Sequence, residues 1–464
     1  MSMLIWIIAL YVLAQIAISA WVARRTRTDA DYLVAGRRLG VFPVGMSLFA
    51  TWFAAESVIA TSAETAMNGL AGARIEPFAF GLGILLLGLF VAKEIRKGGH
   101  MTLADYIGAR FGVAAETLSA LAIALSGTVW AAAQLYALAT IIAGAVGTGF
   151  LPALVAATAV VLVYTLIGGL MGDIATDIIQ GAVLVVGVLI LFFLILSASG
   201  GIGAAIDAVP PARLNFTAPG ESILDQIEIW LIPIFASIVA QEAISRTLAA
   251  RTPEIARNGA VLGSAIYVVV GLVPVMFGLF APQLDLALGE GDQFLPSLAE
   301  ALLPSWAYVV FTGALLSAIL SSVDSALLAV SAVATETGYR RFRPRTTPEQ
   351  SLVVARLATT IAGLVAFAVA ASGESLREIV LSAASVGGVL AAPILLTIVS
   401  QGKFGGPIAA TASIAIQIIC LGVLDWTLGI SGAVVITFAA GFATYIGLAL
   451  AAFLARSVNS ASAA

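Results

Sequence analysis

The chain has little thiol or imidazole chemistry, since it contains one cysteine, Cys420, and one histidine, His100. A single thiol forms no disulfide within the chain, and cysteine-based metal sites need several ligands. His100 lies in a predicted loop beside Lys97, and we interpret it as a solvated residue rather than a proton relay. Because the chain has no second histidine, it offers none for a Ser-His-Asp triad.

The chain also lacks the G-x-x-x-x-G-K-[ST] motif of nucleotide binding, and its GAVGTG stretch predicts a helix end or tight turn. With no other nucleophile–base pair or metal-ligand cluster, we do not expect an enzyme.

Charge is also scarce: charged residues make up 10% of the chain and hydrophobic residues 61%. Soluble domains carry about 25% charged residues, so this chain cannot cover a water-facing surface. Apolar segments of about 20 residues, long enough to cross a bilayer, recur along its length. The 45 glycines suit close packing of membrane helices. The composition predicts an all-α membrane protein with lipid as its main solvent.

Thirteen transmembrane helices are predicted from the apolar segments. The first begins with MSMLIW, which lacks the positive start of a signal peptide, so we expect a retained helix. The predicted spans are 3–22, 43–70, 75–92, 115–146, 150–168, 177–198, 226–245, 259–281, 305–337, 351–371, 378–400, 405–424 and 431–454.

The distribution of positive charge predicts an orientation with the N-terminus outside and the C-terminus in the cytoplasm. In that orientation 19 of the 22 Lys and Arg residues fall in cytoplasmic loops. The exceptions are Arg74, Arg213 and Arg377. The outer connection 282–303 is acidic instead. A missing span would scramble this alternation, so the charges support the helix count as well.

We expect one transmembrane domain over 1–464, because no connection is long enough for another folded unit. Within it, 43–198 and 226–400 each hold five spans and each begin with an unusually polar segment. Five is odd, so the second block is inverted relative to the first, as in many secondary transporters. The remainder, 1–42 and 405–464, adds an N-terminal helix with its loop and two C-terminal helices.

The stretch FATWFAAESVIATSAET at 49–65 interrupts an apolar span with polar groups, including Glu56, Ser57 and Glu64. Small residues surround them, so the helix can unwind here at low steric cost. Unwound backbone in a membrane needs partners for its carbonyls, and a cation is one such partner. A hydrogen-bonded seam between helices is the alternative.

Two further groups of charged residues lie near the cytoplasmic ends of spans. Asp177 and Gln180 share a helix face, and Asp177 is deep enough to suggest a functional role. Asp173 is expected to cap a helix. Glu242 and Arg246, spaced i and i+4, are expected to pair with each other.

The stretch AILSSVDSALL at 318–328 places hydroxyls and a carboxylate in an apolar helix. Ser317, Ser321, Asp324 and Ser325 share one face, and Ser322 lies about 100° from Ser321. One membrane serine usually bonds back to a carbonyl one turn earlier, but a serine stripe with an acid needs more explanation. Hydroxyl, carbonyl and carboxylate oxygens suit a hard cation such as sodium.

Four motifs in order, ATWFAAES, YTLIGGLMGDIATDIIQ, SRTLAAR and AILSSVDSALLAVSAVATE, are similar to those of the sodium/solute symporter family. That family includes sodium–sugar, sodium–proline and choline transporters. The resemblance extends from the first span to about residue 400. It implies thirteen helices, an outside N-terminus and two inverted five-helix repeats, as the charges predict.

The resemblance also implies a sodium site between the second and ninth spans. Its ligands would be the carbonyls of Ala50, Phe53 and Ala318 and the hydroxyls of Ser321 and Ser322. Asp177 would tune this site or contribute, with Ser325, to a second cation site. Asp324 resembles an acid of the choline branch, and its role, like that of Glu64, is left open.

The resemblance places the solute beside this site at mid-membrane. The residues expected to line its pocket are Trp52, Glu56, Ser57, Trp130, Gln134, Tyr136, Ser237 and Gln241. Pro233, Ala236 and Ser237 stand where the sugar carriers have an Asn and a Tyr-Trp pair, which argues against a sugar. Ala240 replaces a Trp of the choline branch, so an aromatic cage is incomplete. An amino acid, carboxylate or amine is favoured.

The predicted function is sodium-coupled symport by alternating access in a plasma membrane, or the inner membrane of a Gram-negative cell. The expected partners are sodium, a small solute and the lipid bilayer, with no nucleic acid and no obligate protein partner. Two alternatives stay open. One is proton coupling through Asp177, Asp324 or Glu56, and the other is a solute sensor that does not transport.

Overall fold

The computed structural model describes residues 35–462 apart from Pro344, Gly373 and Glu374, together with Leu13, Ala14 and Ala17. The described part is helical throughout, with one isolated backbone bridge between Leu39 and Ala250. We label its longer helical segments α1 Val41–Trp52, α2 Glu56–Ala71, α3 Arg74–Lys97, α4 Leu103–Phe111, α5 Val113–Val146, α6 Phe150–Ala198, α7 Ile223–Val239, α8 Gln241–Leu248, α9 Pro253–Phe280, α10 Phe294–Leu302, α11 Ser305–Val333, α12 Pro348–Ala370, α13 Leu376–Gly388, α14 Ala391–Val399, α15 Pro407–Cys420 and α16 Ala433–Ser462.

Most predicted spans have a counterpart among the described residues. That part of the chain contains 9 helices long and apolar enough to cross a membrane, or up to 11 if each of two bent pairs is one span. The span predicted at 150–168 corresponds to a shorter apolar stretch, Phe150–Val163. The first, at 3–22, lies outside the described residues. The all-helical fold is therefore confirmed, while the count of thirteen stays a prediction.

The helix starts follow from local capping chemistry. Thr102, Ser222, Thr347 and Ser375 each accept a hydrogen bond from the backbone three residues on, and the residue there bonds back in a capping box. Such boxes satisfy two of the backbone donors that a helix start leaves free. At the other end, α5 stops at Gly147, whose φ of 71° is the left-handed conformation that glycine adopts easily.

Three spans among the described residues contain a break. Between α13 and α14 the axis bends by 46°, and the other two breaks each open one of the predicted five-span blocks. Between α1 and α2 the axis bends by 66° around Phe53, whose φ of −89° and ψ of 72° leave the helical region. Between α7 and α8, Ala240 is extended, with a φ of −62° and a ψ of 120°. The break at Phe53 was expected from the polar stretch 49–65; the break at Ala240 was not.

The structure carries α6 without interruption over 49 residues, through the loop expected at 169–176. A straight helix of that length would extend about 73 Å, more than twice the thickness of a bilayer core. Asp173 lies inside α6 and is buried, so the expectation that it caps a helix is wrong.

Helix α11 lies at the centre and packs against α5, α6, α12 and α1. Helix α1 also crosses α9 closely, because both present glycine at the contact. A Cβ built on Gly45 would come within 3.0 Å of the Gly259 carbonyl, and one on Gly259 within 2.6 Å of Val44. The close crossing holds the broken end of α1 against the core.

The three arginines that depart from the predicted charge pattern all make specific contacts. Arg74 forms a two-pronged ion pair with Glu221, at 2.7 and 2.8 Å, and this bond lowers the pKa of the Glu221 carboxyl. Arg213 donates to the Thr65 carbonyl at 2.8 Å. Arg377 pairs with Glu64. Structural contacts therefore account for positive charge at this end of the molecule, which we call the Glu64 end.

Candidate functional site

The end of α1 meets the serines of α11 inside the protein. The Ser322 hydroxyl donates to the Thr51 carbonyl at 2.8 Å. The neighbouring Ser321 hydroxyl donates to Asp177 on α6, and the Ser47 hydroxyl donates to the same carboxylate at 2.6 Å. All five side chains are buried. Three helices that are far apart in sequence thus bring hydroxyl, carbonyl and carboxylate oxygens together.

The residues expected to donate carbonyls lie around this junction. Ala50 and Phe53 flank Thr51 at the break, and Ala318 lies one turn before the serine pair on α11. The carbonyl that Ser322 contacts is that of Thr51, which was not among the predicted ligands. The side chain of Ser317 lies outside the described residues. The sodium ligand set stays a prediction, since the structure shows only how these groups are placed.

Next to this junction lies a buried ion cluster around Arg246. Its guanidinium is 2.6 Å from Asp173 and 3.3 Å from Asp177, and it also donates to the Ser325 hydroxyl. Ser325 in turn donates to Asp173 at 2.8 Å. The charge pattern predicts Arg246 in a cytoplasmic loop, and its spacing from Glu242 predicts a pair with that residue. Arg246 is instead buried and forms its ion pairs with the two aspartates of α6. Its contact with Glu242 goes to the backbone carbonyl, at 3.2 Å.

Three aromatic rings form a layer beyond the break in α1. The rings of Trp52 and Trp130 lie 5.5 Å apart, and Phe80 lies 5.1 Å from Trp52 and 6.2 Å from Trp130. These rings border a narrow cavity of about 20 Å³, room for about one water molecule, that also contacts Gln241 and Glu242 on α8. We call this the inner cavity. Trp52, Trp130 and Gln241 were predicted to line a solute pocket, and the structure brings them to one space.

Several of the predicted pocket residues, Gln241 among them, already make contacts with neighbouring helices. Gln241 is partly engaged, because its side-chain oxygen accepts from the backbone of Leu103 at the start of α4, at 2.8 Å. The Ser237 hydroxyl bonds back to the Pro233 carbonyl at 2.7 Å, as serines in membrane helices often do. Tyr136 packs on Phe150, with ring centroids 5.2 Å apart. Two residues on from Gln134, it points about 200° away around the helix.

Glu56 and Ser57 start α2 just after the break and make separate buried contacts. Gln134 donates to one oxygen of Glu56 at 2.6 Å. The Ser57 hydroxyl lies 3.1 Å from Glu76 and 3.0 Å from Tyr267, and Tyr267 also donates to Glu76. Glu76 and Tyr267 were missed in the sequence analysis. An acid before a proline in the apolar segment RIEPFAF was the available signal for Glu76.

A second space, which we call the outer cavity, lies on the other side of this polar group. It has a volume of about 30 Å³ and contacts Glu56, Glu76 and the Glu64–Arg377 ion pair. The inner and outer cavities both reach α1–α2, one at Trp52 and the other at Glu56. The broken segment therefore separates the two spaces.

The opposite end of the molecule, which we call the Arg251 end, is closed by backbone contacts between the start of α1 and the end of α8. The Leu39 amide donates to the Ala249 carbonyl at 3.1 Å, and the Arg251 amide donates to the Leu39 carbonyl at 3.0 Å. Arg96 adds a bond to the Ala250 carbonyl at 2.7 Å. Nearby, partial burial lowers the pKa of His100, so this loop histidine is neutral at pH 7.

Comparison with known proteins identifies one matching family model, that of the sodium:solute symporter family, over residues 32–401. Among curated proteins, the high-affinity choline transporter 1 of Drosophila melanogaster is 24% identical over 89% of this chain and 70% of its own length. The sodium/glucose cotransporter of Vibrio parahaemolyticus is 27% identical, over 79% and 74%. The sodium/proline symporter of Escherichia coli is 25% identical, over 79% and 76%.

Solved structures show the same fold. A Na+-coupled sialic acid symporter, in a substrate-bound outward-open state, superposes with a TM-score of 0.81 over 96% of this chain and 97% of its own, at 20% identity. A nucleobase-cation-symport-1 family transporter in a closed conformation gives a TM-score of 0.60 over 91% and 94%, at 16% identity. At these identities the likeness concerns the fold alone.

Proposed function

The chain belongs to the sodium:solute symporter family, and we propose that it moves a small polar solute across a membrane together with sodium by alternating access. Sodium-coupled symport is what the family and its named relatives have in common. The solute is an amino acid, carboxylate or amine rather than a sugar. The observation that supports this best is the contact between Ser322 of α11 and the Thr51 carbonyl at the break in α1.

Sodium binds, in this proposal, where that contact now lies. A cation at the junction would take oxygens from both helices: the carbonyls of Ala50, Phe53 and Ala318 and the hydroxyls of Ser321 and Ser322. Hard oxygen ligands of this kind suit sodium. Because α1 is broken, its last carbonyls lack continuing helix partners and can turn to an ion. Binding would then tie α1 to α11 and couple the ion to the position of the broken segment.

Arg246 acts as a fixed cation beside this position. The second cation site considered in the sequence analysis would use Asp177 and Ser325, and both already bond to the guanidinium. A pair of buried carboxylates needs a positive charge nearby. The Arg246 guanidinium supplies that charge and, because it belongs to the chain, it does not leave during transport. We infer that one sodium ion moves in each cycle.

The solute binds in the inner cavity and at the polar groups around Glu56, against the aromatic layer of Trp52, Trp130 and Phe80. Support comes from the convergence of predicted pocket residues there. A concave, largely apolar space with a few polar groups is the usual form of a small-molecule site. Ser237 and Tyr136 hold the surrounding helices and do not belong to this pocket.

The two cavities give the transport path its two ends. With the N-terminus outside, the Glu64 end is extracellular and the Arg251 end cytoplasmic. The outer cavity then leads from outside to Glu56, while the Leu39–Ala250 bridge closes the other side. In the opposite state the bridge would open and the outer cavity would close around Arg377 and Glu64. Because coupling is reciprocal, a solute that sodium helps to bind must itself strengthen sodium binding.

The proposal is tested by uptake of radiolabelled amino acids, monocarboxylates and amines into vesicles that contain the purified protein. We expect at least one solute to accumulate when a sodium gradient is imposed, and to stop accumulating when potassium replaces sodium. Accumulation driven by a pH gradient alone, with no response to sodium, would reject sodium coupling. Stabilisation by a solute without any accumulation would point to a sensor.

Proton coupling is the second candidate, and Asp324 is the observation that favours it. This carboxyl is buried in α11 with no ion pair among the described residues, and its nearby hydroxyl, that of Thr165, interacts with it only weakly. An uncompensated charge is costly at that depth, so the group has reason to take up a proton. The imposed pH gradient in the vesicle experiment distinguishes this candidate from sodium coupling.

A further inference from the structure

We propose that Glu56 and Glu76 together bind the positively charged nitrogen of the transported solute, and hence that this solute is a small organic cation. The inference rests on the proposed function and names its substrate class. It adds Glu76 of α3 and its partner Tyr267 of α9 to the solute site, two residues to which the sequence alone assigns no role.

The two carboxylates come from neighbouring spans and meet through Ser57. Glu56 begins α2, and the next residue, Ser57, lies 3.1 Å from Glu76 near the start of α3. At Glu76 the backbone leaves the helical conformation, with a φ of −124° and a ψ of 130°, which turns this residue away from the regular helix face. Both carboxylates lie within the protein, at 2% and 5% exposure.

Each carboxylate is bonded on one oxygen and unpartnered on the other. Gln134 donates to Glu56 Oε2, while Tyr267 and Ser57 donate to Glu76 Oε2. Glu56 Oε1 and Glu76 Oε1 have no partner among the described residues. An unmade bond at a buried carboxylate is costly, which is a reason to expect a ligand that supplies the missing donor.

The outer cavity lies beside this pair, and most of the charged side chains that line it are acidic. Three glutamates, Glu56, Glu64 and Glu76, line it together with a single arginine, Arg377. Arg377 pairs with Glu64, so its charge is already matched. The bonded partners of Glu56 and Glu76 are neutral amide and hydroxyl groups. A ligand with a positive charge would balance the pair, whereas an anionic solute would be repelled.

The rest of the lining favours an organic cation over a bare ion. Ile75, Val380 and Leu381 face the same space, and these apolar side chains offer a sodium ion nothing to coordinate. An ammonium or quaternary nitrogen with a short carbon body would place its charge on the glutamates and its body on these residues. Four positions before Glu56, Trp52 offers an aromatic face for the same charge further along the path.

The test compares cations with neutral molecules of the same shape on the purified full-length protein. The probes are choline with its carbon isostere dimethylbutanol, and ethanolamine with propanol. Thermal shift is titrated at saturating sodium, since a bound ligand raises the melting temperature according to its affinity. We expect each cation to bind at least about tenfold more tightly than its neutral partner. Ethanolamine gains a charged hydrogen bond, whereas choline, whose nitrogen has no hydrogen, gains the attraction between opposite charges.

Glu56→Gln and Glu76→Gln keep the shape and remove the charge, and each should bring the cation-to-neutral ratio close to one. Glu228→Gln is the matched control, because Glu228 is a half-buried carboxylate on α7 with one unpartnered oxygen, and it should keep the wild-type ratio. The rise in melting temperature caused by sodium alone should be the same in all three variants as in the wild type. That result would show that the variants fold and bind sodium.

The proposal is overturned if neutral probes bind as well as cations, if no cation binds while sodium does, or if the ratio survives both substitutions. A sodium shift lost in Glu56→Gln or Glu76→Gln would assign the pair to sodium and overturn it as well. Absence of a sodium shift in the wild type would instead count against the proposed function, while the cation-to-neutral comparison still decides this inference.

Discussion

Among single residues, the two serines of α11 offer the most direct test of the sodium site. Replacing Ser321 and Ser322 by Ala removes two of the proposed cation ligands and the bonds to Asp177 and the Thr51 carbonyl. We expect the sodium concentration for half-maximal uptake to rise at least about tenfold, the equivalent of about 1.4 kcal/mol. Sodium-dependent uptake in vesicles measures it.

Ser331→Ala is the control for that pair of substitutions. Ser331 is also buried on α11, but its hydroxyl donates to the Ala355 carbonyl at 3.0 Å, away from the break in α1. The sodium concentration for half-maximal uptake by the Ser331→Ala variant should match that of the wild type. If the double variant also keeps wild-type sodium dependence, the ion binds elsewhere.

The position of Arg246 predicts how the uptake rate depends on sodium concentration. Because its guanidinium already joins Asp173, Asp177 and Ser325, one ion should suffice for each cycle. Initial uptake rates plotted against sodium concentration should fit a hyperbola with a Hill coefficient near one. A coefficient close to two would show that a second sodium ion binds despite the fixed cation.

Asp324 separates the two candidate coupling ions. Asp324→Asn keeps the side-chain size and removes the titrating group, which lies buried in α11. If the acid is structural, sodium-driven uptake should continue and the protein should be at least as stable as the wild type, since burying a neutral amide costs less than burying a charge. Uptake that is no longer driven by a pH gradient, while exchange of solute across the membrane continues, would identify a coupled proton.

At the scale of helices, the crossing of α1 and α9 depends on the absence of side chains. A Cβ on Gly259 would lie 2.6 Å from Val44, so Gly259→Ala should push α1 away from its position. Overpacking of this kind typically costs about 1–3 kcal/mol, and the melting temperature in detergent should fall. Gly447→Ala is the control, because nothing lies within 4 Å of the added carbon there. Equal melting temperatures for the two variants would contradict the tight crossing.

The break in α1 could be predicted from sequence, whereas the break at Ala240 could not. The first has a local signature, since Glu56, Ser57 and small neighbours interrupt an apolar run. At Ala240 the local residues are ordinary, and tertiary contacts such as that of Gln241 with α4 hold the turn. Partners of buried charges were missed for the same reason: the spacing of Glu242 and Arg246 suggested a pair, but Asp173 and Asp177 reach the guanidinium from another helix.

For the whole molecule, the helical fold and the family could be predicted because both follow from composition and from motifs that are continuous in the chain. Tyr136 illustrates the limit, since the sequence does not show which face of α5 turns toward the predicted pocket. Glu76 illustrates a second limit of the sequence. It matters because it lies near the Glu56 carboxylate of α2, and only the fold brings the two together.

Alternating access predicts opposite changes in exposure on the two sides of the aromatic layer. In a Cys420→Ser background, which removes the native thiol, Ala60→Cys reports on the outer cavity and Ala384→Cys on the inner one. We expect sodium to speed the reaction of the first with a membrane-impermeant maleimide from outside the cell. It should slow the reaction of the second in inside-out vesicles. Parallel changes at both positions would contradict a two-sided mechanism.

The closure at the Arg251 end has a consequence for which substitutions it tolerates. Two of its bonds join main-chain atoms of Leu39, Ala249 and Arg251, so they do not depend on a particular side chain. Proline at position 39 or 251, which lacks an amide hydrogen, would delete one of them outright. The surrounding packing still limits substitution, because Ala249 and Ala250 are fully buried, whereas the exposed Arg251 can be replaced with both bonds kept.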